Sequence, residues 1–87
     1  MYDIRLSGPA EKDLAKLAAP VYRQVLSHLH ELREWGPAHP GLQRLSGQYR
    51  GQMRLRVGEW RIRLRHVPEK EQLVVLRLLH RSRLYRR

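Results

Sequence analysis

Two groups of residues in the second half of the chain have the types and the spacing that phosphate chemistry needs. The first is a row of arginines that alternates with apolar residues on both sides of Gly58-Glu59. The second is the segment after His80, in which Arg81 is followed four positions later by Tyr85. Arginine binds phosphate through a planar fork of donors, and a tyrosine phenolate can accept a proton. Together they predict a site that holds a phosphodiester and cleaves it.

The arginine row is predicted to lie on one face of a β-hairpin. Apolar residues and arginines alternate before and after Gly58-Glu59, which is a two-residue turn signal. This register sets arginines directly opposite one another in two pairs, Arg54 with Arg63 and Arg56 with Arg61. Arg65 continues the row. Like charges directly opposite destabilise a sheet by roughly 0.2–1 kcal/mol per pair. We therefore interpret the face as a phosphate-binding surface, the alternative being a solvated charged face.

The charge distribution indicates a polyanionic partner. The formal net charge is +10, and 15 of the 18 basic residues are arginine. Residues 1–43 carry five basic and five acidic side chains, whereas residues 44–87 carry thirteen basic and three acidic ones. A GC-rich genome could raise the ratio of arginine to lysine, but it would not segregate the charge. The segregation favours binding to nucleic acid through the second half of the chain.

The order of elements predicts a single α+β domain over residues 1–87. Residues 2–6 alternate as a strand, Gly8-Pro9 opens a helix with Glu11 and Asp13 in its first turn, and Pro20 opens a second helix that ends near Trp35. Residues 36–50 are predicted to be a loop, and the arginine hairpin follows. The continuous apolar run Leu73–Leu79 predicts a central strand covered on both faces.

The predicted architecture is β-α-α-β-β-β, with a helical hairpin packed on one face of a four-stranded, mostly antiparallel sheet. The tail that begins at His80 would be a short helical turn at the end of the last strand. There, the arginines would surround Tyr85 with positive potential, which favours the phenolate and lowers the pKa of its phenol. Such a group suits removal of the proton from an RNA 2′-OH that attacks the adjacent phosphate, a reaction that needs no metal.

Other classes of site find little support in the sequence. The chain has no cysteine, and its five histidines have no useful spacing to carboxylates, so neither a metal nor another cofactor is expected. No signal peptide and no apolar run of membrane-spanning length is apparent, which makes a cytoplasmic location the expectation.

Motifs along almost the whole chain resemble one family. They are an opening strand ending in Ser7, A-x-x-D-L at residues 10–14, L-x-G at residues 45–47, R-x-R-V-G-E-W-R-I at residues 54–62, and His80-Arg81 with Tyr85 four positions later. In order and spacing they resemble the RelE/ParE superfamily of bacterial toxins, specifically its RelE-type branch. The resemblance implies a RelE-like fold and the toxin of a type II toxin–antitoxin system. RelE-type toxins are ribosome-dependent endoribonucleases that cut mRNA in the A site.

The resemblance also implies roles for individual residues. Tyr85 resembles the general base, Arg81 the arginine that stabilises the transition state, and Arg61 an arginine that contacts the phosphate. Arg54 and Gln52 stand where the family often has lysines, and a guanidinium gives up its proton far less readily than an ammonium group. Further RNA contacts are expected from five other arginines of this region: Arg50, Arg56, Arg63, Arg65 and Arg83.

The implied partners are a cognate acidic antitoxin, the ribosome and mRNA, with no membrane and no small-molecule cofactor. Two alternatives stay open at this point. One is a ParE-like inhibitor of DNA gyrase without nuclease activity, although such proteins generally lack the arginine-and-tyrosine tail. The other is a non-catalytic RNA-binding protein, for which a change at Tyr85 would have no measurable effect.

Overall fold

A computed structural model describes residues 1–84, which form a five-stranded sheet with two helices packed on one face. The strands are β1 (Asp3–Leu6), β2 (Leu42–Arg44), β3 (Gln52–Val57), β4 (Trp60–Val67) and β5 (Gln72–His80). The helices are α1 (Gly8–Ala15), α2 (Ala19–Trp35) and the short α3 (Arg81–Leu84). Single 3₁₀ turns occupy Gly36–Ala38, Gly47–Tyr49 and Pro68–Lys70.

The sheet confirms the predicted fold class and adds one strand to it. Its strand order is β1-β5-β4-β3-β2, with β1 parallel to β5 and every other pair antiparallel. The added strand, β2, pairs with β3 at the edge and lies inside the segment that was predicted to be a loop. It is only three residues long, too short to produce an alternating pattern.

The hairpin between β3 and β4 has the predicted register. Val57 pairs with Trp60 across the Gly58-Glu59 turn, and the opposed arginine pairs follow. Gly58 has a φ of 59°. A positive φ at the first turn position is what a type II′ hairpin turn requires, and glycine adopts it without strain. The turn residue therefore fixes which side chains share a face.

The core lies between the helices and one face of the sheet. α2 contributes Val25, Leu29 and Leu32, one stripe of an amphipathic helix, and α1 contributes Ala10. The sheet contributes residues of its three inner strands: Met53, Leu55, Val57, Ile62, Leu64, Leu73, Val75 and Leu78. On β3 and β4 they alternate with residues that point to the opposite face, whereas a shift in the register of β4 with β5 breaks the alternation between Val75 and Leu78.

The prediction that the last strand is covered on both faces was wrong. β5 does lie inside the sheet, between β1 and β4. Its helix-facing residues are buried, but Val74 and Leu79, which pair with Arg65 and Arg61, are only half-buried. The apolar run Leu73–Leu79 belongs to a strand that has a neighbouring strand on each edge, whereas helices cover only one of its two faces.

Asp13 has a different role from the one predicted. It is the sixth residue of α1, beyond the first turn. Its carboxylate accepts hydrogen bonds from Arg77 (2.8 and 3.2 Å) and from the N–H of Leu78 (2.9 Å). Burial alone would raise the pKa of Asp13, but these bonds outweigh it and hold the pKa below its usual value. Asp13 thus fastens α1 to the distal half of β5.

Candidate nucleic-acid interface

The sheet face opposite the helices carries the predicted arginine row, which we call the arginine face. Its members, on β3 and β4, are Arg54, Arg56, Arg61, Arg63 and Arg65. They alternate with buried core residues, and all are half-buried or exposed. Within residues 1–84, no carboxylate forms an ion pair with any of them. The face therefore holds an uncompensated positive charge that an anionic ligand could neutralise.

Three of the predicted residues line one open cleft of about 540 Å³, which we call the arginine cleft. Its walls are Pro40, Gly41, Gln43, Arg54, Arg56 and Arg61. The guanidinium of Arg54 donates to Gln43 Oε1 (3.0 Å). That of Arg61 donates through Nη1 to the carbonyls of Gly58 (2.9 Å) and Trp60 (3.0 Å). These contacts orient both guanidiniums without neutralising them.

The wall formed by Pro40 and Gly41 is held in place by a histidine. His39 Nδ1 accepts from the N–H of Gly41 (2.9 Å), and Nε2 lies 3.0 Å from Glu31 Oε1 on α2. This hydrogen bond from His39 lowers the pKa of Glu31. A Cβ at Gly41 would come within 2.9 Å of Leu55 Cδ1, so the segment lies directly against β3. The cleft consequently has a fixed second wall, although the sequence predicted only a loop.

Arg81 lies beside the hairpin turn, directly after β5. Its N–H donates to the carbonyl of Glu59 (2.7 Å), and its Nη1 lies 3.7 Å from Glu59 Oε1. Both side chains are more than half exposed, so this ion pair contributes little to stability. Arg61 contacts the carbonyl of Gly58 in the same turn, so Arg61 on β4 and Arg81 at the start of α3 both reach this turn.

One aromatic residue on this surface was not predicted from the sequence. Tyr49, in the 3₁₀ turn before β3, has the guanidinium carbon of Arg63 4.7 Å from its ring centroid. Its signal was available in principle, because it is an aromatic residue in the basic, polar segment between Arg44 and Arg54. Gln43 was missed for a different reason, since its bond to Arg54 depends on the unpredicted strand β2.

The remaining predicted residues within the described chain do not line the arginine cleft. Arg65 pairs with Gln52 at the far end of the arginine face, and Arg83 is exposed on α3. Arg50 lines a separate cleft of about 450 Å³ that also includes Arg44, so it does not join the arginine cleft. Tyr85 lies outside the described residues, and its predicted role stays a prediction.

Two further properties concern the described part of the chain. Among residues 1–84, no three His, Cys, Asp or Glu side chains are grouped so that they could hold a metal ion. None of the helices in the same range is long and apolar enough to cross a membrane.

The sequence matches one family model over residues 4–85, nearly the full chain. Its description is the ParE toxin of the type II toxin–antitoxin system parDE. The chain belongs to this toxin family, within the RelE/ParE superfamily. A search of curated proteins found no match to this toxin.

Solved structures of toxins have the same fold. The toxin–antitoxin complex RelBE2 of Mycobacterium tuberculosis contains a chain 26% identical to this toxin, with a TM-score of 0.82, covering 92% of this chain and 98% of that one. The archaeal RelE–RelB complex of Pyrococcus horikoshii contains a chain with 24% identity and a TM-score of 0.77, and the match covers 94% of this chain and 97% of that one. The isolated RelE toxin of E. coli is 21% identical to this chain, with a TM-score of 0.78, and the match covers 92% of this chain and 84% of that one.

Proposed function

We propose that this toxin is an endoribonuclease that cuts mRNA in the ribosomal A site. The observation that supports it most is the arginine face, with opposed arginine pairs that have no carboxylate partner within residues 1–84. A stable fold without an anionic ligand gains nothing from this arrangement. Phosphates of a single RNA strand would supply the missing counter-charge.

In the proposed reaction, Arg61 and Arg81 hold the scissile phosphate near the hairpin turn. The phenolate of Tyr85 takes the proton of the 2′-OH, the 2′-oxygen bonds to phosphorus, and the bond to the 5′-oxygen breaks. A 2′,3′-cyclic phosphate forms, the leaving 5′-oxygen takes up a proton from water, and the Tyr85 phenol later returns its proton to the solvent. The guanidiniums stabilise the charge that develops on the phosphoryl oxygens. Arg54 contributes charge and position, because a guanidinium is a poor proton donor.

The decisive experiment adds the purified toxin to translating ribosomes and maps the 5′ ends of the mRNA. We expect cuts within the A-site codon. Arg81→Ala and Tyr85→Phe should each lower the cleavage rate by roughly 10²-fold or more. The matched control is Arg23→Ala, which removes an exposed arginine from α2 without touching the arginine face. Absence of A-site cuts, or full activity in both variants, would rule the proposal out.

A second candidate function follows from the family match. The matching model is described as ParE toxin, and for a ParE-like protein the alternative left open by the sequence is inhibition of DNA gyrase. In that case the arginine face would serve binding alone. Supercoiling by purified gyrase in the presence of the toxin separates the two functions. Inhibited supercoiling together with intact mRNA would establish the alternative.

A cognate antitoxin is the proposed protein partner. The M. tuberculosis and P. horikoshii neighbours were solved as complexes of toxin with antitoxin. For this chain we propose an acidic partner that contains a helix and covers the arginine face. The partner should protect the face from RNA, so its addition should stop cleavage. A partner that binds equally well to an Arg54→Ala, Arg61→Ala double variant would have its main contacts elsewhere.

A further inference from the structure

Tyr49 and Arg63 form a cation–π pair at one side of the arginine face. The tyrosine side chain is 37% exposed, and Arg63 Cζ lies 4.7 Å from the ring centroid. The register places Arg63 directly opposite Arg54, one pair along the strands from Arg56 and Arg61. Two residues of strand span about 6.6 Å. The aromatic pair thus lies about one nucleotide away from the arginines that are proposed to hold the phosphate.

Two buried polar atoms on this side of the sheet have no hydrogen-bond partner within the described chain. They are Arg63 Nε and Gln52 Oε1. Buried polar atoms without partners cost stability, and they are uncommon unless a ligand or a solvent molecule completes them. Small shifts of these two side chains on ligand binding would let both make bonds.

The chemistry of the pair suits an unpaired nucleobase. Bases stack on aromatic rings and on guanidinium planes, and every base has a π-face that can do so. A solvated surface needs neither the exposed ring nor the stacked guanidinium. A peptide partner would be expected to bring carboxylates to the arginines, but it would have no particular need for a flat stacking surface.

We propose that Tyr49 and Arg63 form a stacking subsite for a nucleobase next to the phosphate held by the arginine cleft. This inference rests on the proposed RNA-binding function, and it assigns the subsite to one unpaired base. Gln52 is two positions before Arg54 on β3, so its side chain lies on the same face of the sheet as Arg63. The subsite would add affinity for RNA beyond what charge provides and would fix the position of the strand.

The test measures binding of short fluorescent RNAs to the Tyr85→Phe protein, which keeps the RNA intact. In a set of otherwise identical RNAs, each base in turn is replaced by an abasic site. Tyr49→Leu should weaken binding of the complete RNA by roughly 5- to 150-fold, the range for loss of one stacked base. It should have no effect on the RNA that lacks the base at one particular position. Tyr49→Phe, which keeps the ring, should bind like the parent.

Two controls separate this inference from the proposed function. Tyr22→Leu changes a similarly exposed tyrosine on α2, 39% exposed, and should leave binding unchanged. Arg61→Ala should weaken binding of all the RNAs alike and reduce the salt slope by about 0.7, whereas Tyr49→Leu should leave the slope unaltered.

The outcomes are distinguishable. If Tyr49→Leu binds the complete RNA as well as the parent does, or loses the same factor with every abasic RNA, the stacking subsite is wrong while the arginine face still stands. If the parent binds none of the RNAs at low salt, or Arg61→Ala binds them as well as the parent, the subsite proposal fails, whereas the proposed cleavage is still judged by the cuts mapped on translating ribosomes.

Discussion

Arg77 and Arg61 lie on neighbouring strands of one sheet, but their surroundings differ. Arg77 makes two hydrogen bonds to Asp13, whose side chain is only 13% exposed. Among residues 1–84, Arg61 bonds only to main-chain carbonyls, and it faces an open cleft. Asp13 in turn raises the pKa of Arg77 by hydrogen bonding to its charged form. One arginine completes an internal contact, and the other has its charge available to a ligand.

The difference separates two uses of the same residue type. An arginine with a carboxylate partner can be assigned to stability, because removal of either group leaves the other poorly solvated. An arginine without one, opposite a second arginine, weakens the fold slightly and is better explained by a ligand. Variants at these positions test whether the two uses are separate.

The largest expected effect distinguishes Arg61→Ala from Arg77→Ala. Arg61→Ala should lower the rate of mRNA cleavage by about 10²- to 10³-fold, because a donor to the developing phosphoryl charge is lost, and leave the melting temperature unchanged or higher. Arg77→Ala should lower the melting temperature but keep the cleavage rate of the folded protein. Cleavage assays paired with thermal unfolding test this. Equal loss of activity in both variants, each still folded, would contradict the contrast.

The next effect is on stability at Asp13. Asp13→Asn should lower the free energy of unfolding by about 1–3 kcal/mol, because the charged hydrogen bonds to Arg77 and to the Leu78 N–H are weakened. For a domain of this size that is roughly 4–8 °C of melting temperature per kcal/mol. Asp3→Asn is the matched control, since Asp3 is half exposed and its side chain bonds to Arg5 and Gln72 at the surface. Similar losses in the two variants would argue against a special role for Asp13.

The same carboxylate should give a pH signature. Its folded-state pKa is lowered, so the stability it contributes is fully present above the unfolded value of about 3.9 and is lost as pH falls through the folded value. The difference in unfolding free energy between wild type and Asp13→Asn should therefore be constant near neutral pH and shrink below about pH 4. Urea unfolding at a series of pH values measures it. A difference that grows on acidification would have the wrong sign.

The smallest effect is a gain in stability. Arg56→Thr removes the charge opposite Arg61 and introduces a residue that favours strands, so it should raise the free energy of unfolding by roughly 0.2–1 kcal/mol. Screening reduces the repulsion, so part of the gain should disappear at about 1 M salt. Denaturant unfolding at low and high salt, alongside RNA binding, tests this. A gain that does not change with salt would point to strand propensity alone.

The sequence predicted those parts of the structure that depend on residues close together in the chain. The hairpin register followed from the alternation of apolar residues and arginines and from the turn at Gly58, and the end of α2 at Trp35 was predicted as well. Because the register fixes which residues face each other, the arginine pairs were predicted as well. The position of Arg81 directly after the last strand was predicted from the end of the apolar run.

The parts that were missed depend on residues far apart in the chain. Asp13 and Arg77 are 64 positions apart, and no local pattern indicates that they meet. The edge strand β2 is defined by pairing with β3 rather than by its own sequence. Tyr49 joins the surface only because the turn before β3 brings its ring to Arg63.

The parallel pairing of β1 with β5 has a consequence for how the protein is made. Asp3 pairs with Gln72, so the first strand has no neighbour in the sheet until the last one has been synthesised. Contacts so far apart in sequence close slowly and late. During translation β1 therefore has no strand to pair with until β5 has been made, whereas β2, β3 and β4 can already pair with one another. Since β5 lies between β1 and β4, a proteolytic cut within β5 should loosen β1 from the rest of the sheet and leave the pairing of β2, β3 and β4 in place.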